Sequence, residues 1–205
     1  KSSFSYANFL KFKNPYLAYF YITLNFDCFI NNNKINQGNF YSELSGFTQL
    51  INLNNWYLRT YFQLKYQTGI NRFPEEYLTI EDKDGITGLK SNKLRGIQKF
   101  LISNEYLLIS PFYLAGFRPA IFLNWNIGII GNEGNLFHKD YYSSISIGLR
   151  FRNENLTLNN IQINLTFYPR VPEESIYKNI HASGGEIYKF PDFYIPKQTK
   201  IGNFR

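Results

Sequence analysis

The stretch "YLAYFYITLNFDCFI", residues 16–30, alternates along its whole length. Its even positions are Tyr16, Ala18, Phe20, Ile22, Leu24, Phe26, Cys28 and Ile30, every one apolar or aromatic. Its odd positions include Tyr21, Thr23, Asn25 and Asp27. A period of two marks a β-strand with one apolar and one polar face. The run also outlasts the usual strand of about 5–6 residues.

The same alternation returns along the chain. In "NWYLRTYFQLKYQTG", Trp56, Leu58, Phe62, Leu64 and Tyr66 oppose Arg59, Gln63, Lys65 and Gln67. In "FRPAIFLNWNIGII", Phe117, Ile121, Leu123, Trp125, Ile127 and Ile129 oppose Arg118, Asn124, Asn126 and Gly128. In "YSSISIGLRFR", Ile145, Ile147, Leu149 and Phe151 oppose Ser144, Ser146, Gly148, Arg150 and Arg152. In "LTLNNIQINLTFY", Ile161, Ile163, Leu165 and Phe167 oppose Asn160, Gln162, Asn164 and Thr166. Runs at 2–12, 39–52 and 184–195 are less regular and are also read as strands. With the run after "LRGI", the chain reads as nine strands of an all-β protein.

The connections between these strands alternate in length. Short links at "KNP", "NLNN", "AG" and "NEN" are interleaved with longer ones: "NNNKINQG", residues 70–100, "GNEGNLFHKDY" and residues 169–184. Usual loops run to about 4–6 residues. Tight turns at one end and long loops at the other are the habit of an outer-membrane β-barrel. Aromatics near strand ends, Tyr16, Phe40, Trp56, Tyr113 and Tyr168, are expected to form interfacial girdles. The competing fold is a soluble β-sandwich whose apolar faces meet in a core. Strand length, polar opposite faces and sorted loops favour an antiparallel transmembrane barrel, in which a closed sheet pairs every backbone N–H and C=O within lipid.

Composition excludes other classes. Charged residues make up 18% of the 205 and aromatics 19%. The net charge of +7 fits nucleic acid, an anionic membrane surface, or no particular partner. The basic residues are dispersed among turns and polar strand faces, so nucleic acid is not an expected partner. The uncharged stretch near "YLLISPFYLAGF" is broken by Pro111 and ends at Arg118, too short for a spanning helix of about 20 residues. The one cysteine, Cys28, allows no internal disulfide, faces lipid by parity and reads as inert. With no methionine and no signal-like opening, the chain reads as a fragment, any signal peptide lying upstream.

No chemistry-bearing motif stands out. His138 and His181 fall in expected loops without metal-site spacing. No G-x-S-x-G elbow occurs. "IEDKDG", residues 80–85, lacks the spacing of an EF-hand. "GNEGN" lacks the helix and lysine of a phosphate loop. The expectation is a protein that is not an enzyme and takes no cofactor or metal.

Four features between Lys93 and Arg152 carry a family resemblance. They are "LRGI" (Leu94, Arg95, Gly96, Ile97), Glu105 early in the next strand, "NWNIG" with Asn126 and Gly128, and "SIGLRFR" with Arg150. These resemble, in order, the V/I/L-R-G-F loop motif, the following strand glutamate, the F-x-D-x-G strand and the G-x-G-L-R strand of the Omp85 superfamily. That superfamily comprises outer-membrane assembly factors of the BamA and TamA kind and their two-partner-secretion relatives. The chain resembles most closely the divergent members of Bacteroidetes. Two substitutions depart from the pattern: Ile97 stands for phenylalanine and Asn126 for aspartate. Leu107 also stands where many relatives carry a polar or basic residue.

The resemblance implies a sixteen-stranded barrel of which these nine strands are the eighth to the sixteenth, the upstream strands and periplasmic domains lying outside the chain. It implies a long extracellular loop, 70–100, folded back into the barrel. Arg95 at its tip is then expected to pair with Glu105, with Asn126 accepting a further hydrogen bond and Gly96 permitting a tight turn. Arg150 and Gly128 are expected on the same lumen wall. It further implies insertion or translocation of other proteins in the outer membrane of a Gram-negative bacterium. The expected partners are the lipid bilayer, unfolded outer-membrane clients and accessory lipoproteins. A weak closing seam would lie along "GEIYKFPDFYI", with Glu186, Tyr188, Phe190 and Phe193, where Pro191 suits an edge. The rival roles are a passive pore, transporter or structural barrel without clients, and a soluble carbohydrate-binding sandwich.

Overall fold

A computed structural model describes residues 2–10, 18–31, 34–73, 75–82, 85–132, 136, 140–153 and 161–184. The strands, in chain order, are β1 (Ser2–Leu10), β2 (Ala18–Asn31), β3 (Lys34–Phe47), β4 (Ile51–Leu53), β5 (Trp56–Ile70), β6 (Leu78–Thr79), β7 (Leu89–Lys90), β8 (Arg95–Gly96), β9 (Gln98–Ile109), β10 (Phe117–Gly131), β11 (Tyr141–Asn153), β12 (Ile161–Arg170), β13 (Ile176–Tyr177) and β14 (Ile180–Gly184). Nine of them form one antiparallel meander in the order β1-β2-β3-β5-β9-β10-β11-β12-β14, and β4 pairs alongside with β5. Each strand pairs with its neighbours in the sequence of long strands, so every link is local. The sheet is not closed: β1 and β14 are its edges among the described residues.

The turns follow from their residues. Asn54 and Asn55, at φ +49° and +73°, close the β4–β5 hairpin between Leu53 and Trp56. Ala115 and Gly116, at φ +48° and +80°, close the β9–β10 link, where Leu114 and Phe117 exchange backbone hydrogen bonds of 2.8 and 2.9 Å. Positive φ at both central residues is what a two-residue turn matched to strand twist requires. Between β3 and β4 the pairing with β5 continues through Thr48, whose N–H donates to the Thr60 carbonyl and whose hydroxyl accepts the Thr60 N–H.

Three expectations about element ends are revised. The eight-residue link "NNNKINQG" is mostly strand, because β2 runs to Asn31 and β3 starts at Lys34. The expected strand 39–52 is split into β3 and β4. The expected loop 169–184 contains β13 and β14, the latter paired with β12 from Leu165↔Ile180 to Ile161↔Gly184, while the expected strand 184–195 lies outside the described residues apart from Gly184.

The two faces of the sheet are inverted relative to a water-soluble sandwich. On one face, three registered rows cross β10, β11 and β12: Trp125–Ile145–Phe167, Leu123–Ile147–Leu165 and Ile121–Leu149–Ile163. Eight of these nine side chains are exposed, from 41% at Ile121 to 69% at Phe167. On the other face lie Asn25, Asn39, Glu43, Gln67, Glu105, Asn124, Ser144, Ser146, Arg150, Gln162, Asn164 and Thr166, all buried. A soluble monomer rarely shows an apolar patch beyond a few hundred Å². From Ile121 to Ile129 the apolar face of β10 extends eight residues, about 26 Å along the strand at about 3.3 Å per residue. No helix among the described residues is long and apolar enough to cross a membrane.

The expected aromatic girdle is only partly an outward feature. Phe40 packs tilted against Tyr66, and Trp56 meets Phe112 edge-on at 6.0 Å near the β4–β5 and β9–β10 turns, where Tyr113 is exposed. Tyr168 instead points to the polar face and is buried there, because it shares the parity of Thr166 and Asn164. Tyr16 lies outside the described residues.

Candidate functional site

The polar face carries a connected wall of hydrogen bonds. Near one edge, Glu43 accepts from the Gln63 amide at 2.7 Å and from the Tyr41 hydroxyl, and Gln67 donates to Asn39 at 3.0 Å. Between β11 and β12, Ser146 and Thr166 bond at 2.8 Å and Asn164 donates to Thr166 at 3.2 Å. All lie on one face, the Tyr41–Glu43 and Asn164–Thr166 bonds along a strand and the others across strands, and each satisfies a group that burial would otherwise penalise.

At the centre stands an ion pair. Arg150 on β11 reaches across β10 and grips Glu105 on β9 with both terminal nitrogens, Nη1–Oε1 and Nη2–Oε2 each 2.9 Å. Its Nε donates to Gln162 on β12 at 3.2 Å. The guanidinium lies over the Phe122 ring, 4.9 Å from the centroid. Glu105 is 0% exposed. Gly148 makes this possible: a Cβ there would come within 2.7 Å of the Phe122 ring and 2.6 Å of Asn164. A bidentate guanidinium–carboxylate pair is the geometry that repays the desolvation of two buried charges.

Glu105 therefore takes its arginine from the sheet, not from the loop. Arg95 is exposed, donates to Asn92 Oδ1 at 3.1 Å and lies over the Tyr77 ring at 4.3 Å. The reason is reach. Gly96 sits beside Gly131, which registers with Gln98, and Glu105 lies seven residues further along β9, about 23 Å at about 3.3 Å per residue. The expected Arg95–Glu105 pair is thus replaced by Arg150–Glu105. Asn126 likewise accepts nothing from Arg95; its amide donates to Asn124 at 2.6 Å and to Ser144 at 3.1 Å.

Gly96 is required, though not for a left-handed turn. Its φ is not positive; a Cβ there would meet the Gly131 carbonyl oxygen at 2.5 Å. Close backbone approach is the second use of glycine. Ile97 ties the same junction together, donating to Gly131 at 2.9 Å and accepting from Gly69 at 2.9 Å.

The long connection from β5 to β9 folds onto the polar face. Ile80, Ile86, Leu89 and Leu94, each 0% exposed, pack with Leu101, Ile130 and Tyr168. Gly128 is the notch that receives it, since a Cβ would stand 3.0 Å from Ile80 Cδ1 and from Leu101 Cδ2. Pairings of β6 with β8 and β7 with β13 hold the segment in shape. Glu81 accepts the Ser91 N–H and Asp82 the Gly88 N–H, so both carboxylates serve the backbone. Lys99 donates to the Thr79 carbonyl at 3.2 Å. The Tyr168 hydroxyl lies 2.8 Å from the carbonyls of Thr87 and Lys178, joining this segment to the β12–β14 link. His181, expected in a loop, lies in β14 with Nε2 3.3 Å from that hydroxyl.

Sequence reasoning put Gln162 and Gly148 on the polar face without giving them a part in the site, and it missed Phe122. Phe122 breaks the polar alternation of its strand, and that interruption was the available signal. Leu107 explains itself here, packing with Ala120 and Phe122 where the ion pair needs a dry flank. The seam residues Glu186, Tyr188, Phe190, Pro191 and Phe193, and His138, lie outside the described residues. Cys28 is a free, half-buried thiol on β2, at the register shift between Asp27 and Phe29. No group of His, Cys, Asp and Glu among the described residues could hold a metal ion. What the arrangement offers chemically is a hydrogen-bonded polar wall, charge-compensated at the Glu105–Arg150 pair, with one polypeptide segment packed on it. Compared with known protein families, curated proteins and solved structures, the chain matches none.

Proposed function

We propose that the chain forms part of a transmembrane β-barrel of a bacterial outer membrane, with the apolar face toward lipid and the polar face toward the lumen. The inverted burial of the two faces carries this reading. Water would leave the rows of Ile, Leu and Phe on β10–β12 unfavourably solvated, whereas lipid accepts them. The open edges of the meander are completed, in this reading, by strands beyond the described residues, because an open edge in hydrocarbon is untenable.

Within that barrel the role we propose is insertion or translocation of other outer-membrane proteins, as in the Omp85 superfamily that "LRGI" and its following strands resemble. The long segment packed on the polar face supports this over a passive pore, since Leu94 and its neighbours fill space that conduction would need. The cross-barrel lock through Arg95 is not part of the proposal, and the Arg150–Glu105 pair takes its place.

Depletion of the full-length protein in its own cells tests the role. The expected result is a fall of several-fold in other heat-modifiable barrels within a few generations, before lysis. Unchanged levels of every other barrel, with the protein gone, would reduce the proposal to a barrel without clients.

A further inference from the structure

We propose that the end of the polar wall nearest the short turns binds an acidic polypeptide segment, with Arg59 and Arg152 as its principal contacts. This rests on the polar face being the lumen wall and does not require the assembly role.

The argument starts from two arginines in similar settings. Arg150 lies over the Phe122 ring, and its N–H groups go to a carboxylate, which Glu105 supplies. Arg59 on β5 lies over Phe47 in the same manner, 4.8 Å from the centroid. Its Nε is buried and has no hydrogen-bond partner, and no carboxylate among the described residues pairs with it. A stacked guanidinium is pre-organised for an oxyanion, and a buried donor left unmade costs free energy that a ligand recovers.

The surroundings have one sign. Arg59 registers with Leu107, which registers with Phe122, and the next rows toward the turns carry Arg118 opposite Arg152. Arg118 is set by the Ser110 carbonyl at 3.0 Å and lies over Tyr57 and Tyr113. Arg152 is exposed. The only described carboxylate on this part of the wall is Glu105, already held by Arg150. The Arg59 row crosses β11 at Gly148, three strand spacings or about 14 Å away at about 4.8 Å each, and Arg152 lies four residues, about 13 Å, further along β11, so the two arginines stand about 19 Å apart, the span of about six extended residues. A point anion does not bridge that distance; an extended chain with spaced carboxylates does.

The test uses the purified full-length protein in detergent micelles and a fluorescent peptide with aspartate at alternate positions, beside its asparagine counterpart. The aspartate peptide should bind at least about tenfold more tightly at low salt and weaken as salt rises. Arg59→Gln and Arg152→Gln should each lower its affinity by about tenfold, the scale of one charge-assisted hydrogen-bonded contact. Arg59→Lys should restore part of that loss, because charge returns without the fork. Absence of binding by either peptide would overturn it, whatever Arg59→Gln does to unfolding, because losing the stack on Phe47 alone lowers stability. Equal binding of the two peptides, or indifference of binding to Arg59→Gln, would overturn it as well. Displacement of the peptide by an equal concentration of inorganic phosphate would also overturn it, in favour of a small-oxyanion site.

Discussion

Ile147→Arg in the full-length protein is expected to abolish most of the heat-modifiable, membrane-embedded form. Ile147 is the middle residue of the middle apolar row, between Leu123 and Leu165, and is 55% exposed. If that row faces lipid near the bilayer midplane, the substitution costs about 2–4 kcal/mol. Marginal stability makes such a loss decisive. The contrast with a water-soluble sheet is sharp: there, an already exposed isoleucine changed to arginine stays within about ±0.5 kcal/mol. The measurement is unfolding in detergent or lipid vesicles, read by gel mobility with and without heating. Ile147→Val serves as the control that keeps the row apolar.

The second large effect is at the central ion pair. Glu105→Ala and Arg150→Ala should each destabilise the fold by about 3–5 kcal/mol, since each leaves its former partner charged and buried. The double variant should be no worse than the worse single one, because it removes both charges together. Arg95→Ala should cost about 0.5–1 kcal/mol, the worth of an exposed stacked cation. Urea titration of the four proteins, scored by heat-modifiability, separates these. A large effect of Arg95→Ala that vanishes in a Glu105→Ala background would instead restore the loop-to-wall pair.

The fold was legible where the alternation was strict. Trp125, Ile145 and Phe167, and the polar residues between them, announce strands and faces because side chains on a pleated strand take opposite sides by geometry alone. Register came less easily. Nothing in "NNNKINQG" separates strand from loop, since asparagine suits either a turn or a polar wall, and β2 and β3 run well into it. Tyr168 reads as a girdle residue by its place near a strand end, yet parity sends it inward, where its hydroxyl finds two carbonyls. The site was legible in membership and not in pairing. Glu105, Asn126, Gly128 and Arg150 share the polar face, but partner choice depends on distance along strands, which spacing in the sequence of a loop does not disclose. The Phe122 ring and the Gly148 gap that let Arg150 cross a strand are three-dimensional facts.

The face inversion is the central claim, and lipid accessibility along β12 tests it most directly. Cys28 is first replaced by serine, and single cysteines are placed in turn at positions 161 to 167 of the full-length protein. Each is labelled with a fluorophore in vesicles containing brominated lipid. Strong quenching at 161, 163, 165 and 167 and weak quenching at 162, 164 and 166 is the expected result. Uniformly weak quenching with the odd positions open to water-soluble reagents would contradict it and return the sheet to aqueous solution.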